Sequence, residues 1–124
     1  MNQYYSVSKT AGGAITKFAV VYLAADGDAE VTTAKTDTPF GIALEAAASG
    51  EKVNIAIAGR TYAVATDAAV AAGEPLMGIA SGEVDTFDEA AGAYSFAVAL
   101  EDSPATDDIV QVYIYGPQQS TATA

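Results

Sequence analysis

The sequence predicts a mainly β domain: a compact β-barrel or sandwich of two pseudo-symmetric repeats, with one short helix. Three observations carry that reading. Short apolar segments alternate in period two, tight-turn dipeptides separate them, and one long segment occurs twice. "FGIALEAAASGEKVNIAIAG", residues 40–59, returns as "FAVALEDSPATDDIVQVYIYG", residues 96–116. With one gap the copies share Phe40/Phe96, Ala43/Ala99, Leu44/Leu100, Glu45/Glu101, Val53/Val110, Ile57/Ile114 and Gly59/Gly116. "YSVS" from Tyr5 pairs with "YAVA" from Tyr62, and "VVYLAADGDAEVTT" from Val20 with "LMGIASGEVDTF" from Leu76. Units spanning 5–59 and 62–116 follow. Two units are too few for a solenoid, so one closed body is expected.

Taken in order, Tyr5–Ser8 is a short strand. Phe18–Leu23 and Phe40–Leu44 are apolar runs bounded by turn residues, as buried strands are. "ADGD" (25–28) and "ASGE" (80–83) are hairpin signals, because Asp-Gly and Ser-Gly accept positive φ. Val53, Ile55 and Ile57 alternate with Asn54, Ala56 and Ala58, the pattern of a half-buried strand. "TDAAVAAGEP" (66–75) predicts the short helix, with Thr66 or Asp67 as N-cap, Gly73 as stop and Pro75 beyond. "EAAASG" after Leu44 fits a helical turn or a loop equally. The last strand sets Val110, Val112 and Ile114 against Gln111, Tyr113 and Tyr115. The whole, 1–124, reads as one domain with an N-terminal arm (1–4) and a mobile C-terminal tail (117–124).

Composition removes most chemistry. Without cysteine there are no disulfides or thiolate metal sites, and without histidine the commonest general base near neutral pH is missing. Five basic residues face sixteen acidic ones, for a net charge of −11. Such a surface repels phosphate backbones, so nucleic acid is not an expected partner. Nor is a membrane: no long apolar run and no export signal is visible, and a soluble protein is expected. The first half carries four lysines against six acids, the second only Arg60 against ten. An acidic second half facing solvent, with the first half meeting a partner, is one reading of that split; an ordinary acidic surface is the simpler one.

Candidate reactive groups are few. Glu45 and Glu101 occupy matching strand ends, and paired carboxylates can do acid–base work, but a glutamate there more simply marks re-entry into water. "DGDAE" (26–30) lacks calcium-loop spacing, "TDD" (106–108) reads as an acidic loop, and "AGG" (11–13) is followed by no phosphate-binding pattern. No catalytic, metal or cofactor site is expected.

The tyrosines say more. Seven occur beside no tryptophan, two of them at the extreme N-terminus and two on the last strand. Tyrosine combines a large apolar body with a polar tip and is enriched at interfaces. Tyr4, Tyr5 and Val7 near the start, and Gln111, Tyr113 and Tyr115 near the end, are therefore the candidate interface residues. Packing within the same subunit is the alternative. An aromatic N-terminal segment could also add a strand to a neighbour's sheet edge.

The order "FGIALEAAASGEKVNIAIAG", "AVAAGEPLMGIASGEVD", "FAVALEDSPATDDIVQVYIYG" resembles the bacteriophage capsid cement, or head decoration, proteins over roughly residues 5–116. The resemblance implies a β-tulip-like barrel that binds the outer face of the expanded head, usually as a homotrimer, and clamps adjacent major capsid protein subunits. It implies no cofactor and no catalysis, and a place on the virion after assembly in the host cytoplasm. The "YY" near the start and the tyrosine-rich last strand lie outside the shared pattern. The competing readings are a tail or other virion accessory β module that binds glycans through exposed aromatics, and a small hydrolase using Glu45 and Glu101.

Overall fold

The computed structural model describes residues 4–34, 37–65, 70–87, 93–102 and 109–119. Its strands are β1 (Tyr4–Thr10), β2 (Val20–Leu23), β3 (Ala29–Val31), β4 (Gly41–Ala43), β5 (Lys52–Val64), β6 (Pro75–Gly78), β7 (Val84–Thr86), β8 (Tyr94–Ala99) and β9 (Ile109–Gln119). They form one antiparallel sheet in the order β3-β2-β4-β5-β9-β8-β6-β7, with β1 also paired to β5. The sheet curls into a half-barrel, so the fold is mainly β and barrel-like.

β5 is the spine. Its 13 residues, "KVNIAIAGRTYAV", mix β-branched and small side chains and run straight through Gly59. A positive φ of 97° there bends the strand without ending it, which a side chain would resist. Before Gly59, β5 pairs with β4 and β1; from Gly59 onward it pairs with β9. The ladders β2·β3, β2·β4 and β4·β5 of the first half have counterparts in β6·β7, β6·β8 and β8·β9 of the second. Ala43 faces Ile55 as Ala99 faces Val112. Lone parallel bridges, Ala11 to Ala29 and Ala65 to Val84, tie matching strand ends.

Alternation along the strands fills two cores. Val20, Ile42 and Ala56 turn toward one cluster with Leu76, Phe96, Val112 and Ile114. Their neighbours Val21, Ala43 and Ile55 turn toward a second, with Ala11, Ile15 and Val53. The first-half sheet is thus buried on both faces, which is why Ala56 is fully covered rather than on a polar face. Gly41 belongs to that packing: a Cβ there would drive into the Ala56 carbonyl. Buried Thr32 donates to the Ile79 carbonyl at 2.8 Å, holding the end of β3 to the 3-10 turn Ala80–Gly82 of the second half.

Three local expectations change. Thr66–Ala69 of the expected helix lie outside the described residues, while Val70–Pro75 form a bridge, a turn and the start of β6. There Ala71 N donates to the Glu74 carboxylate (3.0 Å) and Gly73 N to the Ala99 carbonyl (2.7 Å), so neighbouring chain satisfies donors that a helix would have turned inward. The same turn occurs at Ala48–Glu51, where Ala48 N donates to the Glu51 carboxylate (2.7 Å). Phe18 is not in a strand: it sits in the loop before β2 with φ 67°. Finally, Tyr4 belongs to β1, and Pro117–Gln119 extend β9 along the start of β8 instead of leaving the sheet; Met1–Gln3 and 120–124 lie outside the described residues.

Candidate functional site: the β1–β5–β9 face

Strands β1, β5 and β9 contain no aspartate or glutamate, although the chain has sixteen. They hold Lys9, Lys52 and Arg60, three of its five basic residues, and five of its seven tyrosines. Both β1 and β9 pair with β5, so these residues lie along one stretch of the sheet.

Register decides which side chains share it. Arg60 faces Tyr113 and Tyr62 faces Gln111 across the β5·β9 ladder, while Val98 of β8 lies on the other side of Tyr113. Residues directly opposite project to the same side, and Tyr115 follows Tyr113 by two, so these side chains form one outward cluster. Tyr62, Tyr113 and Tyr115 are 44, 49 and 40% exposed, large values for aromatics on central strands. Tyr5, 77% exposed, stands opposite Ala58 where β5 bends. Ile109, also exposed, ends the cluster at the start of β9. Nearby, Leu23, Thr38, Pro39, Phe40 and Pro117 line an apolar hollow of about 440 Å³, with Lys9 Nζ 5.9 Å from the Phe40 ring centre.

The six residues singled out from sequence divide by position. Tyr113 and Tyr115 are exposed in this cluster with Gln111 half-buried beside them, and Tyr5 is exposed on β1 next to the bend of β5. Tyr4 packs against the second-half core, and Val7 lies half-buried opposite buried Ile55, so both hold β1 down from beneath. Tyr62 and Arg60 join the cluster without a signal in the repeat pattern, which pairs "YAVA" with the short strand "YSVS". The signal available was the run of fifteen residues from Lys52 to Thr66 without an acid.

Among the described residues the acids lie in loops and short strands. Asp26 accepts from the Asp28 amide (3.0 Å), forming a hairpin turn, and "TDD" (106–108) lies outside the described residues. Glu45 accepts from Asn54 Nδ2 (3.3 Å) and Glu101 from the Gln111 amide (2.9 Å), so each carboxylate pins the long strand of its own half. The Tyr22 phenol is pushed above its ordinary pKa, chiefly by the Glu30 carboxylate, with partial desolvation and Asp37 adding. Among the described residues no cluster of three or more carboxylates could hold a metal, and no helix is long and apolar enough to cross a membrane.

The comparisons with known proteins agree with a structural role. The fold is similar to the crystal structure of the head fiber gp8.5 N base of bacteriophage phi29, with a TM-score of 0.68 over 97% of this chain and 98% of that one, at 18% identity. No curated protein matches the sequence. The phage cement protein model matches residues 2–58 and 40–114, nearly the whole chain. That family is a structural phage family and not an enzyme family, which places this protein with the virion head. The chain belongs to the phage cement proteins.

Proposed function

We propose that this protein coats the outer surface of the expanded phage head and clamps adjacent major capsid protein subunits, as a homotrimer, through the β1–β5–β9 face. The observation that carries the reading is the exposure of Tyr5, Tyr62, Tyr113 and Tyr115 on three strands that carry no acid, in a chain with net charge −11. A clamp needs area and shape rather than reactive groups, and tyrosine supplies both with little conformational entropy to lose. Many copies on one shell turn modest contacts into large total stabilisation, since each bound copy ties its neighbours together. The acidic loops then face bulk water and keep decorated particles apart. The recurrence of ladders in the two halves supports two repeats of one unit, 5–59 and 62–116, which give the domain two related surfaces with different side chains.

Cosedimentation with expanded and unexpanded heads tests this. Saturable binding to expanded shells alone, at a stoichiometry fitting threefold positions, is the expected result. Binding to neither shell would defeat the reading and turn attention to glycans as ligands of the tyrosines.

A further inference from the structure

Phe18 occupies a conformation that aromatic residues avoid. Its φ of 67° lies in the left-handed region, where Cβ crowds the following carbonyl. The chain meets the same demand with glycine at Gly27, Gly50, Gly59, Gly73, Gly82 and Gly116, and only Ser81 joins Phe18 as an exception among the described residues. Backbone strain of this kind persists where the surroundings hold it and gathers at working surfaces. Here the Phe18 amide donates to the Ala43 carbonyl (2.8 Å), and the ring lies 5.6 Å from that of Tyr62 at 49°. Lys17 Nζ caps the other partner, 5.0 Å from the Phe18 ring centre. The result is a stack, Lys17 on Phe18 against Tyr62, that leaves Tyr62 exposed but held.

Charge completes the picture. Lys17, itself exposed, lies next to a surface that already carries Arg60 and holds no acid on its three strands. A partner that fits must be apolar enough to cover tyrosines and must bring negative charge to the lysine. Membership of the phage cement proteins points to the capsid shell as that partner.

We propose that Lys17 and Phe18 extend the tyrosine face into a docking surface for a carboxylate-bearing apolar patch of the capsid shell, with Phe18 as the positioning residue for Tyr62. This rests on the cement reading above. An oriented ring loses less freedom on binding, and a nearby ammonium strengthens when a facing carboxylate is desolvated with it.

The test compares wild type, Phe18→Gly, Lys17→Met and Lys17→Glu for binding to expanded, undecorated heads of the phage that encodes the chain, at several salt concentrations. Phe18→Gly removes the ring and relieves the backbone together, two opposing effects on stability. Its melting temperature should stay within about 4 °C of wild type while affinity falls at least ~10-fold. Lys17→Glu should bind more weakly than Lys17→Met, and Lys17→Met should show a flatter salt dependence than wild type. Variants that all bind as wild type does would overturn the proposal and leave the cement reading standing. So would a Phe18→Gly protein that melts far lower yet binds normally when folded, for Phe18 would then serve only the core. Failure of wild type itself to bind would overturn both.

Discussion

Two regions of one small sheet follow different rules. Strands β1, β5 and β9 contain no acid and are rich in tyrosine; the acids among the described residues lie in the loops and short outer strands. Strands disfavour acids generally, so scarcity alone would mean little. What matters is what stands in their place. Outward positions of β5 and β9 hold Arg60, Tyr62, Tyr113 and Tyr115, where a solvated sheet face would hold threonine, lysine and glutamate. The loops, in contrast, use their acids locally: Asp26, Glu45, Glu51, Glu74 and Glu101 each accept a hydrogen bond within the chain. One region spends its polar groups within the chain, and the other is the face proposed for contact.

The comparison breaks most severely from below. Gly41→Val would push β4 off the Ala56 carbonyl and unseat β5, costing about 3 kcal/mol and roughly 10 °C in melting temperature. Thermal unfolding checks it, and an unchanged melting point would show that β5 does not depend on that close approach. Next comes an acid placed on the acid-free surface. Tyr113→Asp should leave the melting point near wild type and weaken head binding about 100-fold, read by cosedimentation. Neutralising the other region should do little. Asp28→Asn is expected to change head binding less than about twofold, because a charge pointing to bulk solvent is screened.

The smallest effect is electrostatic and local. With its pKa raised by Glu30, Tyr22 should ionise late in an ultraviolet titration, and Glu30→Gln should bring it back toward the ordinary value. The folded state then holds a proton that the unfolded chain has released, so this group lowers stability as pH rises past the ordinary tyrosine range. Below that range it contributes nothing.

Much of this was legible in the residues. The strand pair from Phe40 to Gly59 and its copy were written in period-two alternation, and Tyr113 and Tyr115 stood opposite their aliphatic partners. Three things were not. The stretch 71–74 has the composition of a helix end, and the Glu74 and Asp102 carboxylates and the Ala99 carbonyl, which take its amides, make it a turn. "TKFAVV" carries no glycine, so nothing local announces that Phe18 turns left-handed; the Ala43 carbonyl imposes it. The first repeat ends at Gly59 in the sequence, yet β5 bends there and runs on because β9 offers it a second partner. Each miss is a case of long-range hydrogen bonding overruling local preference.

Tyrosine-resolved hydroxyl-radical footprinting, comparing free protein with protein bound to expanded heads, tests the division between the two regions most directly. Strong protection of Tyr5, Tyr62, Tyr113 and Tyr115 is expected on binding, with Tyr22 beside Glu30 unchanged. Protection of Tyr22 with the four others still reactive would contradict it and turn the molecule over on the shell.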